Sequence, residues 1–200
     1  MISFKDKKVI IFDLDGTIVK LITDWNHLKK ILTERYSKIY QETCEFNHVT
    51  ACLEHIVEKN DEFELKNFFK IIQDYEMKNI KNNQIIEETI FFIRNLELFG
   101  ISKDTKLAIF SLNTRKTIIE SLKLANVNDK FDYIIGREDI RKWKPNPEGL
   151  LMIKEHYKVK NEEIIYFGDL EKDIITGNNA GIESHLINDL INLVNKKKNR

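Results

Sequence analysis

Four short runs of wholly apolar residues punctuate the chain: Val9-Ile10-Ile11-Phe12, Leu107-Ala108-Ile109-Phe110, Tyr133-Ile134-Ile135 and Ile164-Ile165-Tyr166-Phe167. A strand without a polar face needs cover on both sides, so these runs predict buried parallel strands, with His185-Leu186-Ile187 a weaker fifth. Between the later runs the apolar positions take helical spacing, over Thr114–Ala125, Pro147–His156 and Lys172–Ala180. Strands alternating with helices predict an α/β fold, a Rossmann-like doubly wound parallel sheet. Asn146-Pro147-Glu148 supplies an N-cap, a proline for the first helical position and an acid for the first turn. Gly100 is placed to end a helix over Glu87–Phe99, and Gly181 one ending near Ala180.

The stretch from Val19 to Asn82 has a different texture. It holds no glycine and no proline, and its apolar residues recur at intervals of three and four. Leu28, Ile31, Leu32, Tyr36, Ile39 and Tyr40 form one stripe. Val49, Cys52, Leu53 and Ile56 form a second, and Phe63, Phe68, Phe69, Ile72 and Tyr75 a third. The pattern predicts an all-helical insert of some three helices. The expected domains are therefore an α/β core from 1–18 and 83–200, and a helical cap domain over 19–82.

Composition narrows the possible partners. With 200 residues and 42% hydrophobic, the chain can bury a real core. Lys+Arg and Asp+Glu both number 32, and this balance argues against nucleic acid or a polybasic membrane contact. Apolar stretches such as Ile90–Ile93 are far shorter than the roughly 20 residues of a membrane span. Asp6, Lys7 and Lys8 leave no room for a signal-peptide core. Cys44 and Cys52 lie in a helix-patterned segment, where one regular helix would keep them apart. They are expected to be separate thiols in a reducing compartment, and the protein to be cytoplasmic.

The candidate chemistry lies just beyond the strand ends. The first strand runs into Asp13-Leu14-Asp15-Gly16-Thr17, the second into Ser111-Leu112-Asn113-Thr114, and the fourth into Gly168-Asp169 with Asp173 close behind. In open α/β sheets ligands bind at the carboxyl ends of the strands. Topology thus collects these side chains at one sheet edge, where Lys144 arrives on the loop after the third strand. Aspartates so crowded raise one another's pKa or require a cation. An all-oxygen donor set, with no histidine or cysteine in these segments, points to Mg²⁺ rather than zinc. A lysine and a metal opposite a carboxylate, with a hydroxyl and turn amides nearby, suit a phosphate group.

Val9 to Thr17 as hhhhDxDGT, Ser111 at a strand end, Lys144 before Pro145, and Gly168-Asp169 with Asp173 appear in that order. The chain resembles the haloacid dehalogenase superfamily hydrolases, in the subclass with a helical cap inserted after the first strand, and is phosphoglycolate-phosphatase-like. The resemblance implies that Asp13 is a nucleophile forming an aspartyl-phosphate and Asp15 a general acid and base. It implies phosphate binding by Ser111, Lys144, Asn113 and Gly16. Mg²⁺ would be held by Asp13, the backbone carbonyl of Asp15 and Asp169, with Asp173 and Thr17 supporting them from behind. Trp143 suits either the site entrance or the core, Trp25 a cap–core contact, and Arg115 a helix surface. No histidine shows ligand spacing.

The implied activity is a Mg²⁺-dependent phosphatase acting on a small phosphorylated metabolite, as a monomer or homodimer. The enzymatic alternative is a phosphomutase on a sugar phosphate, against which Thr17 tilts modestly. An alternative of a different class is a non-catalytic phosphate-binding or receiver-like regulatory module, disfavoured because both Asp13 and Asp15 are present.

Overall fold

The computed structural model describes residues 2–199. Five parallel strands form its centre: β1 (Val9–Phe12), β4 (Lys106–Phe110), β5 (Phe131–Ile135), β6 (Ile164–Gly168) and β7 (Glu183–Leu186), ordered β5-β4-β1-β6-β7. β1 lies in the middle, registered Phe12 to Ile109 on one side and Phe12 to Phe167 on the other. Strand alternation sends Val9 and Ile11 into one apolar layer and Ile10 and Phe12 into the other. Burial on both faces is why β1 and β6, and β4 after Lys106, read as unbroken apolar runs, while the edge strand β7 is only partly buried; the doubly wound α/β expectation is met.

Two short strands, β2 (Val19–Lys20) and β3 (Gln84–Ile85), pair antiparallel and bracket the helical segment. That segment contains α1 (Trp25–Tyr40), α2 (Leu53–Glu58) and α3 (Glu62–Lys78). Asp24 and Asp61 cap α1 and α3, accepting from the backbone N–H of His27 and Glu64. The buried sides of α1 and α3 (Leu28, Leu32, Phe68 and Ile72 among them) share one apolar layer with Val9, Ile11 and Phe110. Phe69 meets Trp143 edge to face, with ring centroids 6.3 Å apart.

Beyond β3 come α4 (Glu87–Arg94), α5 (Arg115–Leu124), α6 (Glu148–Tyr157), α7 (Glu171–Ala180) and α8 (Ile187–Lys198). The helix expected over Glu87–Phe99 stops at Arg94. Asn95 leaves helical geometry, its side chain donating to the Phe91 carbonyl, and Leu96–Phe99 continue as a tighter 3₁₀ turn ended by left-handed Gly100. α6 starts one residue later than expected, with Pro147 in the N-cap position, and Asn146 Oδ1 accepts from Glu148 N at 3.0 Å in the turn before it.

The cysteines depart from the expectation of separate thiols. Cys44 and Cys52 form a disulfide with their Cα atoms 6.0 Å apart. Residues 41–52 are turns rather than one helix, so the chain folds back and closes the separation that a regular helix would enforce. The thiol argument for a reducing compartment falls with it. Among the described residues, no helix is long and apolar enough to cross a membrane.

Candidate active site

The carboxyl ends of β1, β4, β5 and β6 open into one cavity of about 230 Å³. Asp13, Asp15, Ser111, Asn113, Lys144, Asp169 and Asp173 all line it, together with Trp25, His48 and Arg137. Seven of the nine residues expected from sequence are thus brought together. Asp13 continues β1, its N–H donating to the Phe167 carbonyl at 2.8 Å. The chain then turns sharply, with the N–H groups of Thr17, Ile18 and Val19 all converging on the Leu14 carbonyl.

Gly16 and Thr17 do not themselves line the cavity. Gly16 has φ of +75°, and a Cβ there would fall 2.2 Å from Asp169 Oδ2. The missing side chain makes room for the Asp169 carboxylate. Thr17 is fully buried away from the cavity, and its hydroxyl has no hydrogen-bond partner.

Lys144 is the electrostatic pivot. It is buried, and its Nζ donates to Asp13 Oδ1 and to Asp173 Oδ1, each at 2.8 Å. The ammonium also lies over the Phe110 and Tyr166 rings. Its neighbours Arg141 and Lys142 are exposed. Asp173 is fully engaged: Oδ1 also accepts from the Tyr166 hydroxyl at 2.6 Å, and Oδ2 from Leu170 N at 3.1 Å. Gly168 admits this arrangement, since a Cβ there would lie 2.3 Å from Asp173 Cγ. Ser111 Oγ donates to Asn113 Oδ1 at 2.9 Å.

The pKa directions reflect this crowding. Burial pushes Asp13 above the usual carboxylate range despite Lys144, with Asp173 adding to the rise. Asp15 is raised to about 6, first by burial and then by Asp13 and Glu76, while its bond from Leu21 N opposes the rise. Asp169 is raised to about 7 by burial and then by Asp13, Asp173 and Asp15. Burial alone would raise Asp173, but Lys144 holds it below the usual range.

One carboxylate oxygen from each of Asp13, Asp169 and Asp173 lies within 4.8 Å of the others. With Asp173 committed to Lys144 and Tyr166, Asp13 and Asp169 are the side chains left for a hard divalent cation. Burial first, and then the neighbouring carboxylates, raise both pKa values beyond what Lys144 offsets at Asp13. Mg²⁺ therefore fits the residues present.

The metal-free protein should carry a pH signature of this pair. A carboxyl raised from 3.8 to about 7 binds more protons in the folded state, so its contribution to stability is lost as pH rises from about 4 through 7. Asp169→Asn should therefore melt above the wild type near pH 8 without divalent cation, with the difference vanishing toward pH 4. Added Mg²⁺ should reverse the order by stabilising only the wild type. Thermal melts across pH, with Mg²⁺ or chelator, check this; equal melting at pH 8 would refute it.

Two site residues carry no motif in the sequence. Glu76, on α3, is buried and accepts from Asn113 Nδ2 (3.0 Å), Thr114 N (3.0 Å) and Thr114 Oγ1 (2.8 Å). Its only signal is a charge four residues after Ile72, on the apolar stripe. Arg137 lies just past the β5 edge, the same placement that singles out Asp13 and Ser111. Trp143 belongs to the core, its indole N–H donating to the Arg137 carbonyl at 3.0 Å. Trp25 is half-buried between the apolar layers and the cavity. Arg115 pairs with Asp139 at 2.7 Å on the helix surface.

Comparison with known proteins agrees with this geometry. The haloacid dehalogenase-like hydrolase family model matches residues 10–187. The chain is 27% identical over 183 residues to the pyrophosphatase PpaX of Halalkalibacterium halodurans, covering 89% of this chain and 82% of that one. It matches the Bacillus cereus PpaX at 27%, covering 88% and 80%. Among solved structures, a predicted phosphoglycolate phosphatase from Haemophilus somnus superimposes with a TM-score of 0.59 at 19% identity, covering 90% and 84%. CbbY from Rhodobacter sphaeroides, in complex with phosphate, gives 0.61 at 13%, covering 90% and 85%. With the family model spanning both the β1 turn and the β6 edge that build the cavity, the chain belongs to the haloacid dehalogenase-like hydrolases.

Proposed function

We propose that the protein is a Mg²⁺-dependent phosphatase that hydrolyses a small phosphomonoester through an aspartyl-phosphate on Asp13. The observation that carries this reading is Asp13 at the end of the central strand, paired with buried Lys144 and facing the same cavity as Ser111 and Asp15. The names of the relatives, pyrophosphatase and phosphoglycolate phosphatase, support phosphoryl hydrolysis over dehalogenation.

Lys144 holds one Asp13 oxygen, which fixes the carboxylate and leaves the other free to attack phosphorus. As the Asp13–phosphorus bond forms, the ester bond breaks and the leaving oxygen takes the proton of Asp15. A carboxyl raised to about 6 keeps that proton in an appreciable fraction of molecules near neutral pH, where one at the ordinary carboxylate value would have lost it. Leu21 N binds Asp15 Oδ1, so Oδ2 is the proton carrier. Asp15, now ionised, takes a proton from the water that attacks phosphorus, releasing phosphate and restoring Asp13. Ser111 and Lys144 hold the phosphoryl oxygens and offset their charge. Asp13, Asp169 and the Asp15 carbonyl would bind Mg²⁺, which when present screens nucleophile from phosphate.

We further propose that residues 19–82 act as the cap. They supply Trp25, His48, Val49 and Thr50 to the cavity wall, and would exclude water and read the leaving group. The test is phosphate release from a broad phosphomonoester panel that includes pyrophosphate, with Mg²⁺ or chelator. Metal-dependent turnover is expected. Phosphate binding without turnover would overturn the reading in favour of a binding module, and isomerised sugar phosphate without release would do so in favour of a mutase.

A further inference from the structure

Arg137 stands out among the groups this mechanism does not use. It lines the cavity and is only 3% exposed, yet its Nε and Nη1 have no hydrogen-bond partner. Its one ion pair among the described residues is with Glu76, Nη2 lying 3.6 Å from Oε1, longer than a hydrogen bond, and Glu138 adds a more distant negative charge. Glu76 is already occupied by three donors from Asn113 and Thr114. A buried guanidinium presents five donors, and leaving most of them unmade is costly. An arginine whose role was structural would be expected to complete its fork on Glu76 or on backbone carbonyls.

The residue is also held firmly in place. Its backbone N–H donates to the Asn113 carbonyl at 2.9 Å, and its carbonyl accepts from Trp143 Nε1 at 3.0 Å. Arg137 is thereby tied to the loop that carries Ser111 and Asn113. It lies just past β5, two strands from Asp13 on β1, a separation of about 10 Å at ordinary strand spacing. A phosphoryl group between Asp13 and Ser111 uses roughly half of that distance, leaving a span of only a few bonds to the guanidinium.

We propose that Arg137 is a second anion-binding point, and that the substrate carries a further oxyanion, carboxylate or phosphate, a few bonds from the phosphoryl group being transferred. This deepens the phosphatase reading and rests on it for the hydrolysis measurements, whereas the anion point can be tested by binding alone. Arg137 is a specificity residue here, not a catalytic one, because it lies two strands from Asp13 and one beyond Ser111. Glu76 supports it by keeping α3 against the Asn113–Thr114 loop.

The binding test uses stable probes on the wild type with Mg²⁺. Phosphonoacetate and methylenediphosphonate carry the second anion as carboxylate and as phosphate, and ethylphosphonate carries none. Calorimetry should show one of the two dianionic probes binding at least about 30-fold more tightly than ethylphosphonate, the range of hydrogen bonds to charged groups. The tighter one identifies the second group. In Arg137→Met that preference should collapse to within about threefold, and Arg137→Lys, lacking the planar fork, should keep an intermediate preference. If Arg137→Met proves too unstable, the charge-balanced pair Arg137→Met with Glu76→Gln takes its place. Hydrolysis adds a second reading: kcat/KM for phosphoglycolate relative to ethyl phosphate should fall in Arg137→Met, mostly through KM. A preference that is absent in the wild type, or that survives Arg137→Met, overturns the proposal. Selective binding without hydrolysis of any probe's ester counterpart would retain the anion point and reject the phosphatase reading.

Discussion

Asp13→Asn is expected to lower phosphate release by about four orders of magnitude or more, the scale on which enzymes lose activity when a nucleophile is removed. The amide is isosteric but cannot attack phosphorus. The same change should leave the metal-free fold intact or slightly firmer. Burial holds the Asp13 carboxyl above its usual pKa, so ionising it works against the folded state, and a neutral amide removes that penalty. Lys144 would keep its bond to Asp173. The upward shift in melting temperature on adding Mg²⁺ should shrink with the loss of one of its proposed carboxylate ligands. A purified variant that kept about 1% of wild-type turnover would refute the nucleophile assignment.

Lys144→Met should produce the largest loss of stability. The methionine fills a similar space but leaves Asp13 and Asp173, both buried, without their shared cation. Breaking a buried pair in this way costs about 3–5 kcal/mol, which for a chain of this length lowers the melting temperature by roughly 10 °C. The pH dependence separates this cause from simple mispacking. Lys144 holds Asp173 below its usual pKa, so the wild type gains stability above the unfolded value and loses it as pH falls. The variant forgoes that gain. The difference between the two proteins should be greatest near pH 7 and narrow as pH falls through 4 and below, where Asp173 takes up its proton in turn. A difference constant across that range would assign the loss to packing instead. Activity should fall with stability, because removing Lys144 takes away the charge that opposes the rise in the Asp13 pKa, so the nucleophile ionises less readily.

Both predictions concern residues that could be read from the chain, and the reason is local. Strand β1 is apolar at every position because both sheet faces are covered, and the residues just beyond such a strand lie at the ligand-binding edge by topology. Asp13, Asp15, Ser111 and Asp169 needed no knowledge of any distant contact. The three-helix character of the segment before β3 was legible in the same way, since spacing of three and four is a property of neighbours. Errors arose where periodicity continued through a break. Cys52 and Val49 share a helical stripe with Ile56, yet α2 begins only at Leu53, and the turns before it bring Cys52 to Cys44.

By itself, then, the sequence determined the strands, their covering helices and the edge where the acidic groups gather, because these depend on spacing along a few neighbouring residues. Tertiary structure alone decided which of those groups are paired. Lys144 meets Asp13 across 131 positions and Asp173 across 29, and Glu76 meets Asn113 across 37. No local pattern encodes such partners. Only when α3 and the β5 edge close on the β4 loop does Glu76 become buried and Arg137 stand in the cavity wall with donors to spare. The physical reason is that charge in a protein interior is governed by what surrounds it in space, and chain order says little about that.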